Sequence, residues 1–293
     1  MGEAGPQLRA WVEYFRDLGV HDFYRRGEII AHTAEAGSDQ PPQPAAIAGI
    51  VSTEAVSLAA AASVLSPALA LQPPADITEP QLMKLVSFNN LAPVSAERIS
   101  PAERPAALRA IQDEIGDCIR CPLAYAGRHK IVFGDGSPTA RLMFVGEGPG
   151  ADEDAQGLPF VGKAGQLLNN MIAAMGLARA EVYIANIVKC RPPGNRVPEP
   201  VEANTCSQFL LRQIDVVRPE VIVALGSTAA TYLLGVRRSL SALRGHWHTC
   251  RGAKLAVTYH PAFLLRDPRQ KAEAWKDLQM VMAELKLTPP ARK

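Results

Sequence analysis

Three sets of side chains in this sequence can do chemistry at the spacing they hold. The first lies in "VGEGPGADEDAQGLPFVGKAGQLL", residues 145–168. It has glycines at 146, 148 and 150, then Asp152, Glu153 and Asp154, then Phe160 in an apolar knot. The second is Asn186 and His260, distant from each other in the chain. The glycines suggest a nucleotide-phosphate loop, but the details exclude one. A Walker loop needs Ser or Thr after its lysine, and Ala164 follows Lys163 here. A dinucleotide fingerprint needs the helix to open within the glycine loop. Pro149 and three acids intervene instead, and acids repel a pyrophosphate.

Another chemistry suits these residues better. A side-chain amide pairs with a nucleobase edge through one donor and one acceptor. A phenylalanine ring stacks on a base. An imidazole donates to a developing negative charge. A carboxylate orients water or faces a developing positive charge. Together they suit cleavage of a bond between a sugar and a base. Singly, each has a plainer reading: Phe160 as core, Asn186 as a partner for loop backbone, His260 as a turn cap before Pro261. Convergence on one crevice is what favours the chemical reading.

The third set is the cysteines. Cys118 and Cys121 form a C-x2-C pair; Cys190 follows after 68 residues and Cys206 after 15 more. Four thiolates can hold zinc or an iron–sulfur cluster, and spacing alone does not choose. The fifth, Cys250, is left over as a free thiol.

The elements that must position these residues are regular from residue 105 onward. "RLMFVG" (141–146), "VYIANIV" (182–188), "EVIVALG" (220–226) and "AKLAVTYH" (253–260) read as strands. Helices fall between them at 164–176, 200–217 and 227–235, with one before at 104–115 and one after at 273–285. The alternation predicts an α/β fold, a three-layer α/β/α sandwich on a central four-stranded parallel sheet. Ligands in such folds bind beyond the carboxyl ends of the strands. That rule selects Glu147 and Gly148, Asn186, Gly226 and Ser227, and His260, with no reference to any family.

With the site residues placed, the sequence resembles the family 4 uracil-DNA glycosylases, the thermostable type with an iron–sulfur cluster. The resemblance spans roughly residues 105–287. It rests on "GEGPGADEDAQGLPFVGKAGQLL", "VYIANIVKCRPPGNRVPEP", "HPAFLLR" (260–266) and the cysteine spacing, in that family's order. It implies that Glu147 and Gly148 line a uracil pocket, that Phe160 stacks on the flipped base, that Asn186 reads its imide edge and that His260 polarises a carbonyl. The residues leave open which acid of 152–154 points inward; the resemblance selects Glu153, beside the sugar and the attacking water. It also implies a 4Fe-4S cluster on Cys118, Cys121, Cys190 and Cys206. "HPAFLLR" offers Leu264 or Leu265 as a wedge for the gap left by a flipped base, or equally a helix start packed on the core. Arg244, with Arg237, Arg238 and Arg251, is expected at phosphates. His129, His246 and His248 match no motif and are expected at the surface.

The rest of the chain says less. Residues 1–100 carry 6 basic and 11 acidic side chains and the remainder 25 and 18, so the later part is mildly basic and permits nucleic-acid binding. Residues 1–32 hold an amphipathic helix at 8–20, suited to docking a protein partner, and residues 33–104 are an Ala/Pro-rich linker with short helices near 53–65 and 79–87. A catalytic domain is expected over 105–288. Neither a secretory signal nor an apolar run of membrane length is visible, so the expectation is a cytoplasmic monomer acting on single- and double-stranded DNA. Two rivals were weighed. A relative that traps uracil covalently carries an inserted basic segment ending in His, and none follows "GLPFVGKAG". A non-catalytic zinc module would bind nucleic acid through basic surface alone.

Overall fold

Local sequence sets most of the helix boundaries. Helix α1 (Arg104–Ile115) opens with a proline in its first turn, buries Leu108, Ile111 and Ile115 at helical spacing, and stops at Gly116 with φ 49°. Strand β1 (Asp135–Gly136) is short. Strand β2 (Leu142–Gly146) is buried along its whole length. Helix α2 (Ala151–Gln156) starts on the three acids and ends at the left-handed Gly157. Then come α3 (Lys163–Ala174), β3 (Tyr183–Asn186), α4 (Pro200–Val217), β4 (Val221–Leu225), α5 (Ser227–Leu234) and α6 (Leu240–Leu243). The chain closes with β5 (His248–Cys250), β6 (Ala253–Thr258), α7 (Pro261–Arg266) and α8 (Lys271–Leu285). The computed structural model describes Phe88 and residues 98–288. The helices expected at 8–20, 53–65 and 79–87, and the linker up to residue 97, lie outside the described residues.

The sheet order is β1-β3-β2-β4-β6-β5. Its centre, β3-β2-β4-β6, is parallel as expected, with Gly146 opposite Asn186 and Leu225 opposite Thr258. The sheet has two further edge strands that the sequence pattern did not predict, both antiparallel. They are two and three residues long, too short for periodicity to register. The β5–β6 hairpin turns on Arg251 (φ 53°) and Gly252 (φ 82°), both left-handed, as the tightest two-residue hairpins require. An arginine there hides the turn from a search for Asn-Gly or Asp-Gly. Ion pairing of its guanidinium with Asp215 holds it in place.

Alternation along the strands splits the core in two. Met143, Val145, Ala185, Ile222, Ala224, Leu255 and Val257 face one cluster with α1, α4 and α5. Leu142, Phe144, Ile184, Val221, Val223 and Ala256 face the other, with α3 and α8. Helices therefore cover both faces of the sheet, the α/β/α sandwich expected. By the same period-two rule Gly146, Asn186 and Thr258 turn toward the second face at the carboxyl edge.

Candidate active site

Asn186 ends β3 and is 1% exposed. Among the described residues its Oδ1 has no hydrogen-bond partner. Leaving a buried acceptor unpaired costs roughly 1–3 kcal/mol, so an atom in this state is built to receive a donor from elsewhere. Opposite it across the register stands Gly146, which has to be glycine. A Cβ there would lie 2.4 Å from Asn186 Oδ1 and 2.6 Å from Phe160 Cζ. The missing side chain lets the amide and the aromatic ring close over one Cα. At Gly146 the close approach that excludes a side chain is by Asn186 and Phe160 themselves.

Phe160 is buried and takes φ 52°, a left-handed conformation that costs an L residue roughly 1–2 kcal/mol. Its carbonyl packs on the Cα of Gly165, where a Cβ would lie 1.9 Å from the oxygen. The Phe160 ring centroid is 5.5 Å from that of His260, tilted by 35°. His260 caps α7: its Nδ1 accepts from the Ala262 N–H at 3.2 Å. That bond leaves the ring proton on Nε2, free to be donated. Burial, with the Arg266 charge second, pushes its pKa down to about 4, so the ring is neutral near pH 7. The turn-cap reading and the chemical reading of His260 are thus the same geometry.

Glu147 follows β2. Burial raises its pKa above the usual carboxylate range, against a hydrogen bond from Thr228 Oγ1 (2.5 Å) and the Arg266 charge. Thr228 was not singled out from the sequence. It stands in the first turn of α5, two residues past the Gly226 that the strand-end rule did pick. Gly148 packs against Val188, where a Cβ would come within 2.7 Å of Cγ2.

The three acids form the first turn of α2, where acidic groups complement the helix dipole. The Glu153 carboxylate is largely taken up by backbone. Its Oε2 accepts from Gly150 N (3.0 Å), and its Oε1 from Val161 N (2.8 Å) and Gly162 N (3.0 Å). Three of its roughly four acceptor positions are committed to backbone. Asp154 is buried and accepts from His129 N and Lys130 N, and it pairs with the His129 ring. Burial would raise its pKa, but these bonds outweigh that and hold it below the usual range.

The DNA-contact expectations are also revised. Arg244 does not reach for phosphate: its side chain is 11% exposed, donates to Asp277 at 2.7 Å and lies 4.1 Å over the Tyr259 ring. Leu264 is in the core, whereas Leu265 is partly exposed on α7 and is the wedge candidate that survives. Arg251 is likewise buried and ion-paired rather than facing DNA. His248 Nε2 donates to the Leu243 carbonyl at 2.8 Å within the fold.

On the first-cluster side of the sheet, Cys118, Cys121, Cys190 and Cys206 line one recess with Ile115, Phe209 and Lys189. Cations and an amide address the sulfurs: Arg120 Nη1 to Cys118 (3.3 Å), Arg128 Nη1 to Cys190 (3.4 Å) and Lys189 N to Cys206 (3.3 Å). Burial pushes the Cys206 thiol up to about 12 and raises those of Cys121 and Cys190. Such thiols stay neutral near pH 7 unless a metal takes the place of the proton. No group of three His, Cys, Asp or Glu side chains among the described residues is gathered for a single ion. The four cysteines line one recess as a donor set of thiols alone, the ligand chemistry that zinc and iron–sulfur centres share. Cys250 is buried elsewhere and takes no part.

The sequence profile of the uracil DNA glycosylase superfamily matches residues 133–279, from before β1 into α8. The chain belongs to the uracil-DNA glycosylase superfamily. Within it, the chain is 44% identical to a type-4 uracil-DNA glycosylase of Thermotoga maritima over 164 residues, 55% of this chain and 84% of that one. It is 41% identical to a type-4 uracil-DNA glycosylase of Pyrobaculum aerophilum over 181 residues, 59% of this chain and 92% of the relative. Similarity to a type-5 uracil-DNA glycosylase of the same organism is lower, 32% over 156 residues, 47% and 68% of the two chains. These glycosylase relatives match the type-4 resemblance read from the motifs. No helix among the described residues is long and apolar enough to cross a membrane.

Proposed function

We propose that this chain hydrolyses the N-glycosidic bond of deoxyuridine in single- and double-stranded DNA. It releases uracil and leaves an abasic site without cutting the strand. The observation that carries this is the unpartnered, buried Asn186 Oδ1 held against the Phe160 ring across Gly146. Uracil offers an N–H donor beside a carbonyl acceptor on a flat face. Asn186 accepts the first and donates its amide N–H to the second. Cytosine reverses that pattern and leaves buried groups unpaired, at about 1–3 kcal/mol per group.

A base within a duplex is out of reach, so it is flipped from the stack. Phe160 replaces the stacking lost, Glu147 and Gly148 close the pocket, and Leu265 fills the gap in the duplex. As the bond breaks, the base gains negative charge, and the His260 Nε2–H donates to it. A neutral imidazole does this without the desolvation cost of burying a cation. Cys118, Cys121, Cys190 and Cys206 would hold a 4Fe-4S cluster, which when bound braces three segments: the loop after α1, the loop after β3, and α4.

The test is a uracil-containing oligonucleotide incubated with purified protein, treated with alkali and run beside hypoxanthine and thymine-mismatch substrates. Strand breaks at uracil only after alkali are expected. Intact uracil strands sink the glycosylase reading. A band of protein and DNA running together on a denaturing gel would replace it with covalent trapping.

A further inference from the structure

The left-handed backbone at Phe160 is not held by its own residue type. It is held from both sides by side chains that touch no base. From below, Arg179 Nη2 donates to Pro159 O (2.6 Å) and Nη1 to Phe160 O (3.1 Å). The same guanidinium is anchored on Asn169 Oδ1 (3.0 Å) and Asp135 Oδ2 (3.3 Å). From above, Glu153 Oε1 takes the next two amides, Val161 N and Gly162 N. Arg179 thus fixes the carbonyls of both peptide groups flanking the Phe160 Cα, and Glu153 fixes the N–H of the second of them and of the one after. Between them the ring is pressed against Gly146 and His260.

We propose that Arg179 and Glu153 are positioning residues that clamp Phe160 as the stacking platform for the extruded base. This rests on the uracil-excision reading above. Arg179 lies in the 3-10 turn before β3, outside every motif singled out in the sequence. A planar fork is what reaches two successive carbonyls at once, so lysine is not its equivalent. Without the clamp the Phe160 backbone relaxes toward the ordinary region and the ring swings out of register with Asn186. A displacement of that kind costs ~10–100-fold in excision.

The test is a double-mutant cycle in the full chain with Arg179→Met and Phe160→Ala, read on single-stranded uracil oligonucleotide. Inhibition by free uracil, affinity for abasic oligonucleotide, iron content and melting midpoint are measured alongside. Arg179→Met should lower kcat/KM by ~10–100-fold and weaken uracil inhibition about as much. Abasic-DNA affinity and iron should stay within about twofold of wild type. In the Phe160→Ala background the same change should do almost nothing further, because the clamp acts only through the ring. Equal losses in both backgrounds, or unchanged uracil inhibition, overturn the clamp while leaving the glycosylase intact. Wild-type protein inert toward uracil would instead remove the excision reading, and the clamp with it. If Arg179→Met fails to fold, Arg179→Lys keeps a cation beside Asp135 without the fork. It should show the same non-additivity at smaller amplitude, and an additive loss there counts against the clamp.

Discussion

The two functional regions of the fold are finished in opposite ways. At the carboxyl edge of the sheet the chain completes almost everything itself. Glu153 and Asp154 are engaged by backbone, His260 caps its helix, and Gly146 makes room, leaving Asn186 Oδ1 and Thr258 Oγ1 unpaired there among the described residues. In the thiol recess the chain completes little. Arg120, Arg128 and the Lys189 amide address the sulfurs of Cys118, Cys190 and Cys206, and burial raises the thiols of Cys121, Cys190 and Cys206. On the proposed function the first region would take a visitor and the second a resident. Damage to the recess should therefore cost fold, and damage to the edge should cost chemistry.

That contrast can be broken most severely at Cys190. Cys190→Ala should lose most of the iron and lower the melting midpoint by more than 10 °C, on the order of the several kcal/mol that a metal site couples to folding. Unchanged iron would remove Cys190 from the ligand set. Asn186→Ala should do the reverse: ~100–1,000-fold slower excision with iron and melting unchanged. A large loss of iron there would mean that the two regions are one. His260→Ala should cost about 100-fold, again with iron intact.

The pH dependence sharpens the same point. The unfolded chain binds a proton at His260 near 6.5, and the folded chain only near 4. What His260 contributes to stability is thus fully present above about pH 6.5 and is lost as pH falls from there toward 4. Denaturant titrations at pH 7 and 5 should show this loss in wild type and less of it in His260→Gln. Excision should show no inflection near 6.5. At the small end, Thr228→Val removes a bond that lowers the Glu147 pKa. Any acid limb of the rate profile set by Glu147 should move to higher pH, with a rate change of about two- to fivefold at pH 7. Leu265→Ala should reduce excision from duplex by a similar factor and leave single strands alone.

Much of this was legible in the sequence, and the failures are instructive. The four parallel strands and the helices between them follow from runs of Val, Ile and Leu that a sheet covered on both faces demands. Asn186 and His260 were singled out because strand ends in such folds point to one crevice, and Phe160 because its ring stands in the apolar knot of the glycine-rich motif. The backbone bonds of Glu153 were not legible because spacing cannot say whether a carboxylate faces a ligand or its own backbone. The burial of Arg244, and the choice of Leu264 rather than Leu265 for the core, were not legible because charge and apolarity do not reveal burial. Thr228 and Arg179 were passed over since each acts through one neighbour across a long sequence gap, Glu147 and Phe160 respectively.

Asn186 and Cys190 are only four residues apart, and Lys189 Nζ between them donates back to the Asn186 carbonyl at 3.0 Å and to Gln213 at 2.6 Å. On the proposed function, the residue that would read the base and a residue that would hold the cluster share one short length of chain. An oxidant that emptied the recess would then loosen the very segment that carries the reading amide. A repair protein whose discrimination drifted while its cutting persisted would attack sound DNA. With both tied to the same few residues, loss of the brace would silence the chain instead of making it indiscriminate.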